Sequence, residues 1–347
     1  MHVARSLAAN VEHLTVLAPR TGDLTSVPEN MDIVTVPQRP CGIPHRFGGR
    51  WAFNLGVYQL CRDRRIDAVF VHMAKDWTYI LHPTFRLLGI PVVLWYAHGT
   101  VSLRLRAAVR CADRVITSTP EGCRIDDERI RIIGQAIDTE RFSPPELRRL
   151  QTALYVGRIS RRKRVDLIYD AAVELRRLLP EDDAPEFVLA GGPRGMEDLE
   201  YDHDLRNRLW RDRMDSRVRM LGYVPFERIP DLYQDAFVHI NVSDTGSMDK
   251  SVMEALAAGC PVLTSNRAFR DTLRSYPEFI IRDVRPAAIA EQILEIYRRR
   301  RDYDPSALRA LVLDRHSLDT YASRVLEVIS EVSGSRHHPS VFRRHVQ

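Results

Sequence analysis

The sequence predicts an α/β protein with parallel sheets, divided into two domains. Three observations carry this. Nearly continuous apolar runs, such as Asp67-Ala-Val-Phe-Val-His-Met73, Pro91-Val-Val-Leu-Trp-Tyr-Ala-His-Gly99 and Glu186-Phe-Val-Leu-Ala-Gly-Gly192, read as strands covered on both faces. Segments with helical periodicity separate these runs, so strand and helix alternate as in crossover units. The length of 347 residues favours two domains over one.

Taken in order, residues 2–10 read as a helix and His13–Pro19 as a strand. Met31–Pro37 is strand-like, and 38–49, with its Pro, Gly and His, reads as a surface loop. Helices are expected over Ala52–Asp63, Trp77–Leu88 and Val101–Cys111, and strands over Arg114–Thr119 and Ile130–Gly134. Pro144 and Pro145 make a linker and place the boundary between residues 147 and 148. The second half opens with a strand from Thr152, a basic loop and a helix. A charged, solvated helix is expected near Glu197–Asp215, a strand from Arg217, and a short helix over Ile229–Tyr233. Phe279–Asp283 reads as a last strand, followed by helices over Ala287–Arg299 and Leu318–Ile329. Residues 333–347 read as a loose polar tail.

Composition excludes several classes. Hydrophobic residues make up 44% and charged residues 28%, which is ordinary for a globular protein. A net charge of +5 suits anionic ligands but falls short of a nucleic-acid-binding profile. The five cysteines, scattered and without zinc spacing, fit a reducing cytosol. No apolar run reaches membrane-span length, and residues 1–10 lack the apolar core of a signal peptide. A cytoplasmic protein is expected, with peripheral contact at the inner membrane face as a variant. The arginines of Val101–Cys111 would make that contact, or else form a solvated face.

The stretch Asp244–Val262 is the most informative. A strand-like run, Phe237–Val242, leads into a small-residue turn, then into a helix whose apolar positions Val252, Met253, Leu256 and Ala257 recur at helical spacing. Gly259 and Pro261 end that helix. A helix N-terminus offers unpaired N–H groups and partial positive charge, and Gly246 and Ser247 are small enough to admit a phosphate. Lys250 adds a full charge, and Glu254 could accept hydrogen bonds from two vicinal hydroxyls such as those of a ribose. The competing reading is a capping box, with Glu254 folded back on a helix capped by Ser251. The loop Gly157–Lys163 is similarly two-sided. Arg158 and Lys163 could close on one anion, or the loop is a solvated basic turn like its neighbours Arg161, Arg162 and Arg164. His98 lies just past the carboxyl end of a strand, where α/β proteins place ligands, although a lone histidine is more often bonded to nearby backbone. His72 is a weaker candidate of the same kind.

Together these segments resemble the retaining glycosyltransferases of family 4, which have the GT-B fold of two Rossmann-like, doubly wound domains with a donor cleft between them. Glu254-Ala-Leu-Ala-Ala-Gly-Cys-Pro-Val262 is similar to the family's EAxAxGxPV run, and Gly157-Arg158 with Lys163 to its GRxxxxK. Pro91–Gly99 resembles the strand that ends in the family's histidine, and Gly134–Pro144 its GxxIDxxxFxP segment. One departure stands out. The acidic residue that the family usually places eight positions before Glu254 falls on Gly246. Asp249 and Lys250 are candidates to take over its contacts.

The resemblance implies a domain over 1–147 on the acceptor side and a nucleotide-sugar-binding domain over 148–316. It also implies a helix over 317–332 packing back on the first domain. It implies transfer of a sugar from a UDP-, GDP- or ADP-sugar to a hydroxyl on a glycan or lipid-linked glycan, with retention and without metal or cofactor. Arg158 and Lys163 would hold the diphosphate, Glu254 the ribose, and His98 the transferred sugar or its phosphate. Gly157, Gly246, Ser247, Met248, Asp249 and Lys250 would line the donor site, with Tyr223 and Val224 beside the base. The family also has a strand and glycine-rich loop ahead of the first helix here; without them, exposed sheet edges and lower stability than in an upstream-extended chain are expected. Competing functions are a nucleotide-sugar epimerase, a nucleotide-sugar-binding protein without transferase activity, and a periplasmic-type sugar binder that would need an export signal.

Overall fold

The structure is a computed structural model that describes residues 2–18, 27–36, 49–146, 149–180, 184–243 and 246–334. The chain divides into two compact units. One comprises residues 1–136 and 318–347, the other residues 137–317.

In the first unit, helix α1 (His2–Ala8) precedes strands β1 (Leu14–Ala18) and β2 (Met31–Thr35), which pair in parallel as a two-stranded sheet. Helix α2 (Gly49–Asp63) leads to β3 (Val69–His72). Then follow helices α3 (Lys75–Ile80) and α4 (His82–Leu88), strand β4 (Val92–Trp95), helix α5 (Leu103–Cys111), and strands β5 (Arg114–Thr117) and β6 (Ile130–Ile132). Strands β3, β4, β5 and β6 form a parallel sheet in that order. The helix expected over 77–88 is broken at Leu81, because Pro83 suits only the first turn of a new helix. The loop expected over 38–49 falls almost wholly outside the described residues.

The second unit is one five-stranded parallel sheet. Its strands are β7 (Thr152–Val156), β8 (Glu186–Ala190), β9 (Val218–Gly222), β10 (Ala236–Asn241) and β11 (Val262–Thr264), in the order β11-β10-β7-β8-β9. Helices α6 (Val165–Leu178), α7 (Met196–Arg211), α8 (Ile229–Asp235), α9 (Lys250–Ala257), α10 (Pro286–Arg298) and α11 (Pro305–His316) accompany it. Every residue of β10 is buried, which explains its near-unbroken apolar run. In α9, Val252 to Ala257 are all buried, so this helix is a core element and not an amphipathic surface one.

Three expectations need correction. Phe279–Asp283 is not a strand; Pro277–Phe279 forms a 3₁₀ turn, and only Ile280 bridges to Thr264. Helix α11 is an addition to the expected elements, although Asp304 caps it by accepting from the Ser306 N–H at 2.9 Å and Pro305 opens it. The division between units falls at 136/137, not at 147/148. Ile137 and Phe142 are fully buried in the second unit's core. Arg309 of α11 also holds this segment, donating to the carbonyls of Thr139 at 2.8 Å and Phe142 at 2.7 Å. Ile137 bridges to Ser317, so the chain enters and leaves this unit side by side.

The last helix, α12 (Leu318–Gly334), returns to the first unit. Tyr321, Ala322, Val325, Val328 and Val332 pack there with Leu7 of α1, Val93 and Trp95 of β4 and Ile116 of β5. The ring of Tyr321 stands edge-on to Trp95 at 5.1 Å. Residues 335–347, most of the expected tail, lie outside the described residues.

Candidate functional site

The strand order of the second unit places the site. From β7 the chain proceeds outward through β8 to β9, then crosses back to β10 and β11 on the other side. The order therefore reverses between β7 and β10, and open α/β sheets bind ligands beyond the carboxyl ends of strands at such a point. The two segments that leave there are 157–164 and, among the described residues, 243 and 246–249, the same two that the sequence marks out.

The structure joins them. Lys163 stands in a 3₁₀ turn, Arg161–Lys163, closed by Arg164 in the left-handed region at φ 50°. Its ammonium donates to Asp249 Oδ1 at 2.5 Å. The other oxygen of Asp249 accepts from Asn241 Nδ2 at 3.0 Å. Asn241 in turn accepts from Thr264 Oγ1 at 3.1 Å, and that hydroxyl accepts from the Asn266 N–H at 3.1 Å. Asn266 Nδ2 donates to the carbonyl of Ser247 at 2.7 Å. A buried polar chain thus runs from β11 through the end of β10 to the 246–249 turn and on to Lys163. Such networks rigidify a site when their members are satisfied.

This geometry decides the capping question. Helix α9 begins at Lys250 with Asp249 as its N-cap, and the Asp249 side chain makes no cap bond because it is directed to Lys163 and Asn241. Ser251 is inside the helix, so the Ser251–Glu254 capping box is not formed. Glu254 is only 9% exposed. Burial pushes its carboxyl up to about 7, opposed by Lys250 one turn earlier and reinforced by Asp138. Lys250 is exposed by surface area, yet the protein packed around its ammonium lowers it, an effect that Glu254 partly offsets. Asp138, from the GxxIDxxxFxP segment, thus shares the field of Glu254.

Arg158 follows Gly157 at the end of β7, and its guanidinium stands 3.7 Å from Asp198 of α7. The fully buried Tyr155 donates its hydroxyl to the Arg158 carbonyl at 2.8 Å, which fixes the backbone there. Tyr155 also lies in the fields of both Asp249 and Arg158. Tyr223, at the end of β9, is 82% exposed, whereas Val224 packs against the core. Met248 is buried in the core, so its side chain is not a ligand group. Gly246 is buried with φ +69°, a conformation that an L side chain rarely adopts. That is a physical reason for glycine where the family has an acidic residue. Asp244 and Thr245 lie outside the described residues.

Close approach of strand ends also shapes the site. Gly157 N–H donates to the Ala190 carbonyl at 2.9 Å and Gly191 N–H to the Gly222 carbonyl at 2.8 Å. A Cβ on Gly191 would meet the Gly157 carbonyl oxygen at 1.8 Å, and φ there is +145°. Gly191→Ala is therefore expected to destabilise the protein by about 3 kcal/mol or more, since overpacking and a left-handed backbone both oppose it. Urea unfolding measures this, and an unchanged midpoint would contradict the close approach.

His98 belongs to the first unit, past the carboxyl end of β4. Its N–H donates to the Gly122 carbonyl at 2.9 Å, and its Nδ1 accepts from the Thr100 N–H at 3.4 Å. His72 ends β3 with its ring stacked on Trp95 at 6.2 Å. The structure thus brings Lys163, Asp249 and Asn241 into direct contact and holds Arg158, Lys250 and Glu254 on the flanking elements. Asp166 accepts from the Tyr201 hydroxyl at 2.7 Å, and Asp170 pairs with Arg208. Among the described residues no group of three or more His, Cys, Asp or Glu could hold a metal, and no helix is long and apolar enough to cross a membrane.

Sequence reading misses Asn241, Thr264, Asn266 and His239. His239 is fully buried on β10 with neither ring nitrogen hydrogen-bonded, and burial pushes it down to about 3, so it is neutral. The available signal is two polar residues, two apart, inside the otherwise apolar run Phe237–Val242.

Two family models match the chain in succession. Residues 151–299 match the family described as "Glycosyl transferases group 1", and residues 1–141 match "Glycosyltransferase Family 4". The chain is 30% identical over 142 residues to a phosphatidylinositol N-acetylglucosaminyltransferase subunit from Arabidopsis thaliana, covering 39% of this chain and 29% of that protein. It is 28% identical over 177 residues to D-inositol 3-phosphate glycosyltransferase 2 of Catenulispora acidiphila, covering 45% and 41%. The matches thus span well under half of these relatives. Among solved structures, a glycosyltransferase from Rickettsia africae superposes with a TM-score of 0.78 at 12% identity, covering 95% of this chain and 93% of that one. Anabaena Alr3699/HepE in complex with UDP-glucose superposes with a TM-score of 0.74 at 15% identity, covering 95% of each chain.

Proposed function

Because this chain belongs to the family 4 glycosyltransferases, with the GT-B fold, we propose that it moves a sugar from a nucleotide-diphosphate sugar to an acceptor hydroxyl. The reaction we assign retains anomeric configuration and needs no metal. The observation that carries the reading is the Lys163–Asp249 contact, which unites the two candidate loops at the strand-order reversal.

Breaking the sugar–phosphate bond leaves positive charge on the ring and added negative charge on the departing diphosphate. Arg158 and Lys163 stabilise that leaving charge, helped by the N–H groups at the start of α9. Lys163 exchanges Asp249 for a phosphate oxygen, while Asn241 keeps Asp249 in place. Glu254 accepts from the ribose hydroxyls, and the exposed Tyr223 offers a face to the base. His98 contacts the transferred sugar. The donor is a UDP-, GDP- or ADP-sugar; that Alr3699/HepE was crystallised with UDP-glucose supports the first. The acceptor is a glycan, free or lipid-linked; the name of the Arabidopsis relative supports a lipid-borne acceptor, whereas that of the Catenulispora relative points to a small phosphorylated polyol in its place.

A thermal-shift screen against UDP-, GDP- and ADP-sugars tests the donor. Ligand at about a hundred times its Kd stabilises by roughly 2.7 kcal/mol, enough to raise the melting temperature measurably. One base is expected to stand out, and its effect to vanish in Arg158→Ala and Glu254→Ala. No shift with any of the three would overturn the reading.

A further inference from the structure

The first unit holds a cavity that the transfer reaction does not use. It measures about 330 Å³, at the lower end of ligand pockets, which run from about 300 to 1,000 Å³. It lies at the amino-terminal edge of the sheet, where Val92 opens β4 and Arg114 opens β5. Ligands of the proposed reaction belong at the opposite, carboxyl edges of strands.

Four arginines line it: Arg86 from the last turn of α4, Arg110 from the last turn of α5, Arg114 from β5, and Arg129 just before β6. His82 and Asp113 complete the polar lining. Arg129 is committed to Asp127 at 2.7 Å. Arg114 donates Nη1 to the Asp113 carbonyl at 3.0 Å but keeps Nε buried with no hydrogen-bond partner. Arg86 and Arg110 are exposed and line the cavity without an ion pair among the described residues. The last turns of α4 and α5 bring about half a negative charge each, and Asp113 one more. Three uncommitted guanidinium groups exceed these two units, so the cavity keeps a positive charge of about one.

We propose that this cavity binds a phosphate-bearing ligand, as a free phosphate monoester or as a phospholipid headgroup. Guanidinium forks match phosphate oxygens in pairs, and arginines on three separate elements converge here as a phosphate requires.

The test uses the full chain carrying Arg158→Ala and Lys163→Ala, so that phosphate cannot report on the donor site. Inorganic phosphate is titrated by calorimetry, and vesicles of phosphatidic acid are compared with vesicles of phosphatidylcholine by co-sedimentation. Binding in either arm is expected to weaken at least tenfold in Arg86→Glu/Arg110→Glu, the effect of losing about one charge-assisted contact. Binding to phosphate alone identifies a soluble ligand; capture by phosphatidic acid alone identifies a headgroup. Both substituted arginines are exposed, and Arg86→Gln/Arg110→Gln repeats the test without charge reversal. Affinity unchanged in both variants, or no binding of either probe to the parent, would reduce the arginines to complements of the two helix ends and overturn the proposal.

Discussion

Lys163→Ala is expected to slow sugar transfer by roughly 10²–10³-fold, the loss typical of one preorganised donor to a developing anion. Arg158→Ala is expected to cost a similar factor. The effect should fall on kcat as well as on kcat/KM, because the diphosphate carries more charge as the bond to the sugar breaks. Folding should be nearly unaffected by Arg158→Ala, since its guanidinium is partly exposed and its contact with Asp198 is long, at 3.7 Å. Lys163→Ala is different, because it strips Asp249 of its charged partner while Asn241 still holds it. The double variant Lys163→Ala/Asp249→Asn is therefore expected to regain stability without regaining activity. Steady-state kinetics beside thermal melting checks this; full activity in either single variant would remove these residues from the site.

Glu254 should set the pH response of both stability and binding. Its carboxyl is pushed up to about 7 in the folded protein from an ordinary value of 4.5. The folded state therefore holds a proton that the unfolded state releases, and stability is lost as pH rises from about 4.5 through about 7. Above that range the loss levels off on the order of 3 kcal/mol. Glu254→Gln removes this dependence, so its stability relative to the parent is expected to climb by that amount between about pH 5 and about pH 8. Ribose hydroxyls favour the ionised carboxylate, so nucleotide affinity should run the other way. It should rise roughly tenfold per pH unit up to about 7 and then flatten. Urea unfolding and nucleoside diphosphate titrations across that range provide the measurement. A Glu254→Gln variant with the parent's pH profile would show that another group titrates.

Much of the fold is legible because parallel strands are buried on both faces and advertise themselves as apolar runs. β3, β8 and β10 all fall within a residue or two of the runs that predict them, while β4 stops four residues before the end of its run. Phe279–Asp283 misleads for the same reason. Apolar residues there are buried, but a 3₁₀ turn satisfies the backbone in place of a sheet ladder. The expected domain boundary is displaced because prolines mark a stiff segment, whereas the division is set by which core buries Ile137 and Phe142.

Local periodicity and spacing are enough to specify three things here. These are the alternation of strand and helix, the cation-bearing loop ending at Lys163, and the position of Glu254 on the first turns of a helix. The roles of Glu254 and Asp249 come instead from long-range pairing. Helix α9 starts at Lys250, and β7 pairs with β10, strands some eighty residues apart. Together they turn a potential cap into a buried carboxylate and a surface-looking aspartate into the partner of Lys163. Such a contact depends on strand order, which no local pattern encodes.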